Sequence, residues 1–355
     1  MRLFSYTSGI LLSACMALSC SKNSTPGNPA AGGGGTTPPV ARPSSLGFVG
    51  DSADVSTTAK AGIVLMGGGS DVDAAFKWMI DRSGGGNAVI IRATGTDAYN
   101  PYVKALGSLK SVETLLINSR DLANNATVAQ IIKNAELLFI AGGDQSDYVN
   151  YWRGTKTDEA INYLLNTKKV PVGGTSAGCA IMGQLYYSGE NGSVTSPEAL
   201  ANPYANTVTL YKNDFLKAGF LQNIITDQHY LARSRQGRNL TFLARIIKDW
   251  SIYPKGISMD EGTAVAIDEA GTAKVFGSSK AYFLATENTK APEKCEAGVK
   301  LQWNAAGKAV KVYLVNGSST GNGSFSISDF DATKATGGTW YWWSVDNGVW
   351  NENPF

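Results

Sequence analysis

The chain has 355 residues, 43% hydrophobic and 17% charged, with a formal net charge of +2. That length suits one large domain with an appendage, and a near-neutral balance without a long basic run excludes a charge-driven nucleic-acid binder. The four cysteines (Cys15, Cys20, Cys179, Cys295) form neither a metal-spaced set nor a disulfide framework, so no metal site is expected.

Residues 1–20 read as an export signal. Arg2 gives a positive start, Leu3 to Leu18 is largely apolar, and small residues lead to cysteine. The run is too short to be a convincing membrane span. Leu12-Ser-Ala-Cys15 and Ala17-Leu-Ser-Cys20 both resemble the lipobox of bacterial lipoproteins. Cys20 is the expected lipidation site, because the apolar run continues through Leu18 and turns polar directly after it. A plain secretory signal with incidental cysteines is the alternative. Residues 21–45 are rich in Asn, Ser, Thr, Pro and Gly and read as a flexible tether. The resulting expectation is an exported domain, lipid-anchored to the cell envelope at the outer membrane or cell surface.

From residue 46 the chain alternates strands and helices. Gly62–Met66 is a buried strand running into Gly67-Gly-Gly69. Asp71 can cap a helix through about Arg82, with Val72, Ala75, Phe76 and Met79 at helical spacing. Further strands are expected at Ala88–Ile91, Val112–Ile117 and Leu137–Ile140, with helices near Tyr102–Leu106 and Thr127–Asn134. This predicts an α/β domain over 46–290: three αβα layers around a mostly parallel open sheet. Sites in such sheets lie beyond the carboxyl ends of the strands. The glycine triplet lacks Gly-x-Gly-x-x-Gly spacing with a following acidic residue, so no nucleotide cofactor is expected, and no other cofactor.

Val170 to Cys179 has the strand–turn–helix grammar of a nucleophile elbow centred on Ser176. An ordinary glycine-rich βα turn has the same outline. Ser188 to Tyr211 is polar and aperiodic, and reads as a loop beside the site. Thr226-Asp-Gln-His-Tyr230 then supplies His229, the sole histidine and hence the only good base for a serine nucleophile. Leu240 to Trp250 is an amphipathic helix, and Gly256 to Ile267 a strand with a turn at Asp260 and Glu261. Either carboxylate could orient the histidine, and spacing does not choose between them. Residues 291–355 read as a small all-β extension. Alternation in Trp340-Tyr-Trp-Trp suits a half-buried strand, with an aromatic platform for a polymer or glycan as the alternative.

Four stretches together resemble the cyanophycinase family: Gly173–Gly178, Gly142–Gln145, Asp227–Arg238 and Met259–Ala264. These serine peptidases are related to aspartyl dipeptidase and share the class I glutamine amidotransferase-like fold. The resemblance implies Ser176 as nucleophile, His229 as base and Glu261 as orienting carboxylate. It implies an oxyanion hole from backbone N–H groups near Gly143 and at Ala177. Gln145, Asp227, Gln228, Arg233, Arg235 and Arg238 match positions that line the family's substrate pocket. Three guanidinium groups could hold carboxylates in bidentate fashion.

The implied reaction is hydrolysis of cyanophycin, a poly-aspartate chain with arginine side groups, to β-Asp-Arg dipeptides. An aspartyl dipeptidase acting on short peptides with N-terminal aspartate, or a non-catalytic surface-binding lipoprotein, would fit the same motifs less fully. The expected partners are a peptide substrate and a membrane, with a homodimer left open and no nucleic acid. Two departures stand out: Cys179, where the family usually has alanine, and a longer spacer between Ser176 and His229.

Overall fold

The computed structural model describes residues 42–331 and 333–355. The expected signal segment, Cys15, Cys20 and the tether up to residue 41 lie outside the described residues. Residues 42–45, read as the end of the tether, are built into the fold. Arg42 pairs through two nitrogens with Glu113, which is 2% exposed, and Ser45 begins a strand. A carboxylate buried that deeply needs a cationic partner.

Alternation along the strands divides the core. Val64 and Met66 pack with Phe76, Met79 and Ile80 of the helix Asp73–Ser83 on one face. Ile63 and Leu65 point the other way, into a cluster with Val128 and Ile132 of Ala126–Asn134 and Ile161 of Lys156–Tyr163. Among the described residues, nine strands form the sheet between these layers. Its middle is parallel, in the order Ser111–Leu116, Asn87–Arg92, Leu137–Ile140, Pro171–Thr175, Gly62–Met66. Ser45–Gly50 adds antiparallel at one edge and Thr263–Asp268 at the other.

Among the described residues, a second sheet of eight strands, largely antiparallel, stands beside the expected parallel one. Ile224–Asp227 lies parallel to Lys255–Met259 within it. Ile257, Met259 and Phe283 pack toward the first sheet, while on the other face Tyr282 and Leu284 share a cluster with Leu240, Leu243 and Ile247 of the helix Gln236–Trp250. The expected single strand across 256–267 is therefore two strands in two sheets, and its Asp260–Glu261 turn crosses between them.

The regular elements after residue 290 are mainly strands, but they are not set apart. Val310–Asn316, Gly338–Asp346 and Val349–Pro354 extend the second sheet, and Asn322–Ser326 extends the first. Trp303 and Trp343 are fully buried, with Trp343 near Tyr230 and Tyr282. Most of the aromatic tail is thus core. The stretch expected as a loop over 188–211 contains a helix, Ser196–Ala201, opened by a capping box of Thr195 and Glu198.

Candidate active site

Ser176 follows the wholly buried strand Pro171–Thr175 at φ 50°, ψ −117°. Side-chain-bearing residues avoid that region, at a cost of about 1–3 kcal/mol. The turn is held open by the surrounding backbone: the Ser176 N–H donates to the Met66 carbonyl at 3.1 Å, and the Ser176 carbonyl accepts from Ala180 at 2.9 Å. The short helix Ala177–Ala180 then passes close to the neighbouring strand. A Cβ on Gly178 would lie 2.2 Å from the Ile140 carbonyl oxygen, so that position admits only glycine. Strand, strained serine and glycine-backed helix are what the sequence grammar required.

His229 arrives from the second sheet, just beyond Ile224–Asp227, and is likewise in the left-handed region, at φ 47°. Its N–H donates to the Gly67 carbonyl at 2.7 Å. A Cβ on Gly68 would stand 2.4 Å from the imidazole Cε1, so the glycine triplet is the slot into which the ring fits.

Three side chains form one hydrogen-bonded line. Ser176 Oγ is 2.7 Å from His229 Nε2, and His229 Nδ1 is 2.6 Å from Glu261 Oε1. Of the two carboxylates the sequence left open, Glu261 reaches the ring. Asp260 turns the other way: its Oδ1 accepts from the N–H groups of Leu231 and Ala232, and its Oδ2 from the Ser279 hydroxyl. His229 is 6% exposed. Burial lowers its pKa below the usual 6.5 and Arg233 and Arg235 lower it further, while the hydrogen bond it donates to Glu261 opposes them. Burial thus favours the neutral ring, whose Nε2 can accept a proton.

The backbone groups expected as oxyanion donors flank Ser176. A Cβ on Gly142 would lie 3.5 Å from the Ser176 Cβ, which places the Gly142–Gly143 turn against the serine. Ala177 opens its helix, so its N–H has no intrahelical partner. Gln145 begins the helix Gln145–Trp152, and the chain at Gly189 closes on it: a Cβ there would be 2.8 Å from Gln145 Nε2. The polar stretch after Tyr187 thus packs beside the site.

The arginine cluster is not the open clamp the spacing suggested. Arg238 donates through two nitrogens to Asp227, with both side chains buried and the guanidinium over the Tyr187 ring. Arg235 donates to the Gln228 carbonyl at 2.8 Å and sits 3.6 Å from Asp227. Burial lowers the Arg235 pKa to about 10. Asp227, Gln228, Arg235 and Arg238 are all within the protein, and Arg233 alone of the three arginines is exposed. The reason is electrostatic: a buried carboxylate at the end of a central strand takes its own counter-ions. Cys179 is fully buried and burial pushes its thiol pKa up, so it is no rival nucleophile.

A sequence model of peptidase family S51 matches residues 63–275. The cyanophycinase of Trichormus variabilis (strain ATCC 29413 / PCC 7937) is 26% identical over 170 residues, 47% of this chain and 51% of that protein. The chain thus spans about half the length of that relative. The cyanophycinase of Geminocystis herdmanii (strain PCC 6308) is 24% identical over 228 residues, 60% of this chain and 77% of that protein. A solved peptidase from an acI-B1 Actinobacterium covers 63% of this chain and 91% of its own, at 17% identity and a TM-score of 0.47. Because the family match spans more than half of the 355 residues, the chain belongs to peptidase family S51.

Proposed function

We propose that the protein is a serine peptidase whose reaction runs through Ser176, His229 and Glu261. The observation that carries this reading is the unbroken line from Oγ through the imidazole to a carboxylate, with distances of 2.7 and 2.6 Å. In this mechanism His229 Nε2 takes the Ser176 proton as Oγ attacks the substrate carbonyl. Glu261 holds the ring in the tautomer that leaves Nε2 free and stabilises the imidazolium that forms. The carbonyl oxygen, now negative, is met by N–H dipoles near Gly143 and at Ala177. His229 then returns the proton to the leaving amine, and water releases the acyl group by the same steps. A binding protein would have no use for a serine held in a strained turn against a neutral imidazole.

The proposed substrates are cyanophycin or related β-aspartyl peptides, supported by the names of the matched relatives and the four motifs shared with their family. Arg233 is the exposed cation beside the base that suits an aspartate carboxylate. Lipid anchoring through Cys20, and with it a position at the cell envelope, is proposed on sequence alone. Cys20→Ala, but not Cys15→Ala, should release the protein from membranes.

Incubating the purified protein with insoluble cyanophycin and, separately, with short peptides bearing N-terminal aspartate tests the substrate. Release of β-Asp-Arg from the polymer supports the first choice, and cleavage of only the short peptides would replace it with an aspartyl dipeptidase. Equal turnover by Ser176→Ala would remove the serine mechanism.

A further inference from the structure

The turn that presents His229 is held by more than the ring's own contacts. His229 sits at φ 47°, a conformation that persists in a side-chain-bearing residue only where its surroundings over-determine it. On the upstream side, Arg235 donates to the Gln228 carbonyl at 2.8 Å. On the downstream side, one carboxylate oxygen of Asp260 accepts two successive backbone N–H groups, Leu231 at 3.0 Å and Ala232 at 2.9 Å. The Asp260 carboxylate is itself fixed, since its other oxygen accepts from Ser279 Oγ at 2.7 Å and its own N–H donates to the Lys280 carbonyl at 3.0 Å. It is 8% exposed, in the turn that crosses between the two sheets.

We propose that Asp260 is a positioning residue for His229, tying the backbone of the histidine turn to the second sheet while its neighbour Glu261 orients the ring. Consecutive residues thus divide the task. One carboxylate faces the two N–H groups of residues 231 and 232, and the next faces Nδ1 of the imidazole. Both come from one short turn, so the ring and the backbone that carries it share a single anchor. Hydrogen bonds to an ionised acceptor are roughly twice as strong as neutral ones, which suits a turn held against its preferred dihedrals. The assignment rests on the peptidase reading for its kinetic consequence, although the geometry of the turn can be read without it.

The experiment compares Asp260→Ala with Asp260→Asn in untagged protein. Asparagine keeps an oxygen for both N–H groups and turns its amide toward Ser279, so it preserves the geometry and removes the charge. With a peptide substrate, Asp260→Ala should lower kcat about a hundredfold with KM nearly unchanged, because a displacement of about 1 Å in a catalytic group costs that much. Asp260→Asn should recover most of the loss.

An independent readout comes from the single histidine, whose imidazole NMR signals need no assignment. The low-field Nδ1–H resonance of the Glu261 hydrogen bond should survive in Asp260→Asn and broaden or vanish in Asp260→Ala. A native kcat and an unchanged resonance in a folded Asp260→Ala would overturn the assignment, as would equal losses in the two variants, which would mean that charge matters and placement does not. If Asp260→Ala fails to fold, Ser279→Ala loosens the same carboxylate. It should lower kcat several-fold at constant KM, and a native value would count against the proposal. Should the wild type cleave no peptide, the functional reading falls, and the resonance still decides the role of Asp260.

Discussion

Ser176 Oγ and His229 Nε2 lie 2.7 Å apart although the two residues are 53 positions apart and follow strands of different sheets. Neither sheet alone supplies the three side chains of the hydrogen-bonded line. Glu261 completes the line from the turn where the chain passes from the second sheet back to the first. The geometry of this line therefore depends on how the two sheets pack, through Val265 on one and Ile257, Met259 and Phe283 on the other.

The graded cost of removing each member follows from its place in the line. Ser176→Ala and His229→Ala should each lower kcat by about a millionfold, because either alone disables the unit. Glu261→Ala should cost less, about 10⁴-fold, since it removes orientation and leaves nucleophile and base in place. Steady-state kinetics on a peptide substrate checks the order, and equal losses for all three would deny Glu261 its supporting role.

The pH dependence has a definite sign. Activity requires neutral His229, so it falls as pH drops through the histidine pKa, which burial sets below the usual 6.5. The acid limb of kcat/KM should thus lie on the acid side of 6.5. The same shift bears on stability: in the unfolded chain the histidine binds its proton first, so its contribution is present above about pH 6.5 and is lost as pH falls through the lower folded value. A limb above 6.5 would show that Glu261 outweighs burial.

The arginines should separate into two classes. Arg238→Ala leaves Asp227 buried without its bidentate partner and should destabilise the fold by about 3–5 kcal/mol, read in a urea or thermal melt. Arg233→Ala should leave the melt unchanged and raise KM for substrates bearing aspartate carboxylates by about tenfold. An unchanged melt for Arg238→Ala would mean that Asp227 is satisfied some other way.

Much of this was legible in the sequence, and the reasons are physical. The parallel strands announce themselves as short apolar runs, and the apolar run Leu137–Ile140 is the whole of the observed strand. Ser176 is signalled by the small residues around it, an outline that an ordinary glycine-rich βα turn shares, and His229 by being the sole histidine. The second sheet was hidden because most of its strands, such as Lys255–Met259 with Lys280–Ala285 and Val310–Asn316 with Gly338–Asp346, pair across some twenty or more residues, which periodicity does not carry. The helix Ser196–Ala201 had a readable signal in Thr195-Ser-Pro-Glu198, overlooked within a polar stretch. Arginine spacing misled because it describes the chain and not the counter-charge: Asp227 lies eleven residues before Arg238, yet the two share one buried contact.

A serine activated by a neighbouring imidazole reacts with electrophiles that ordinary serines ignore, and Ser176 beside His229 should do so. Treating the protein with a serine-directed organophosphonate and weighing the intact chain tests it without assuming a substrate. A single adduct is expected, mapped to Ser176, absent in Ser176→Ala and formed far more slowly in His229→Ala. An adduct on another residue, or the same rate without His229, would contradict it.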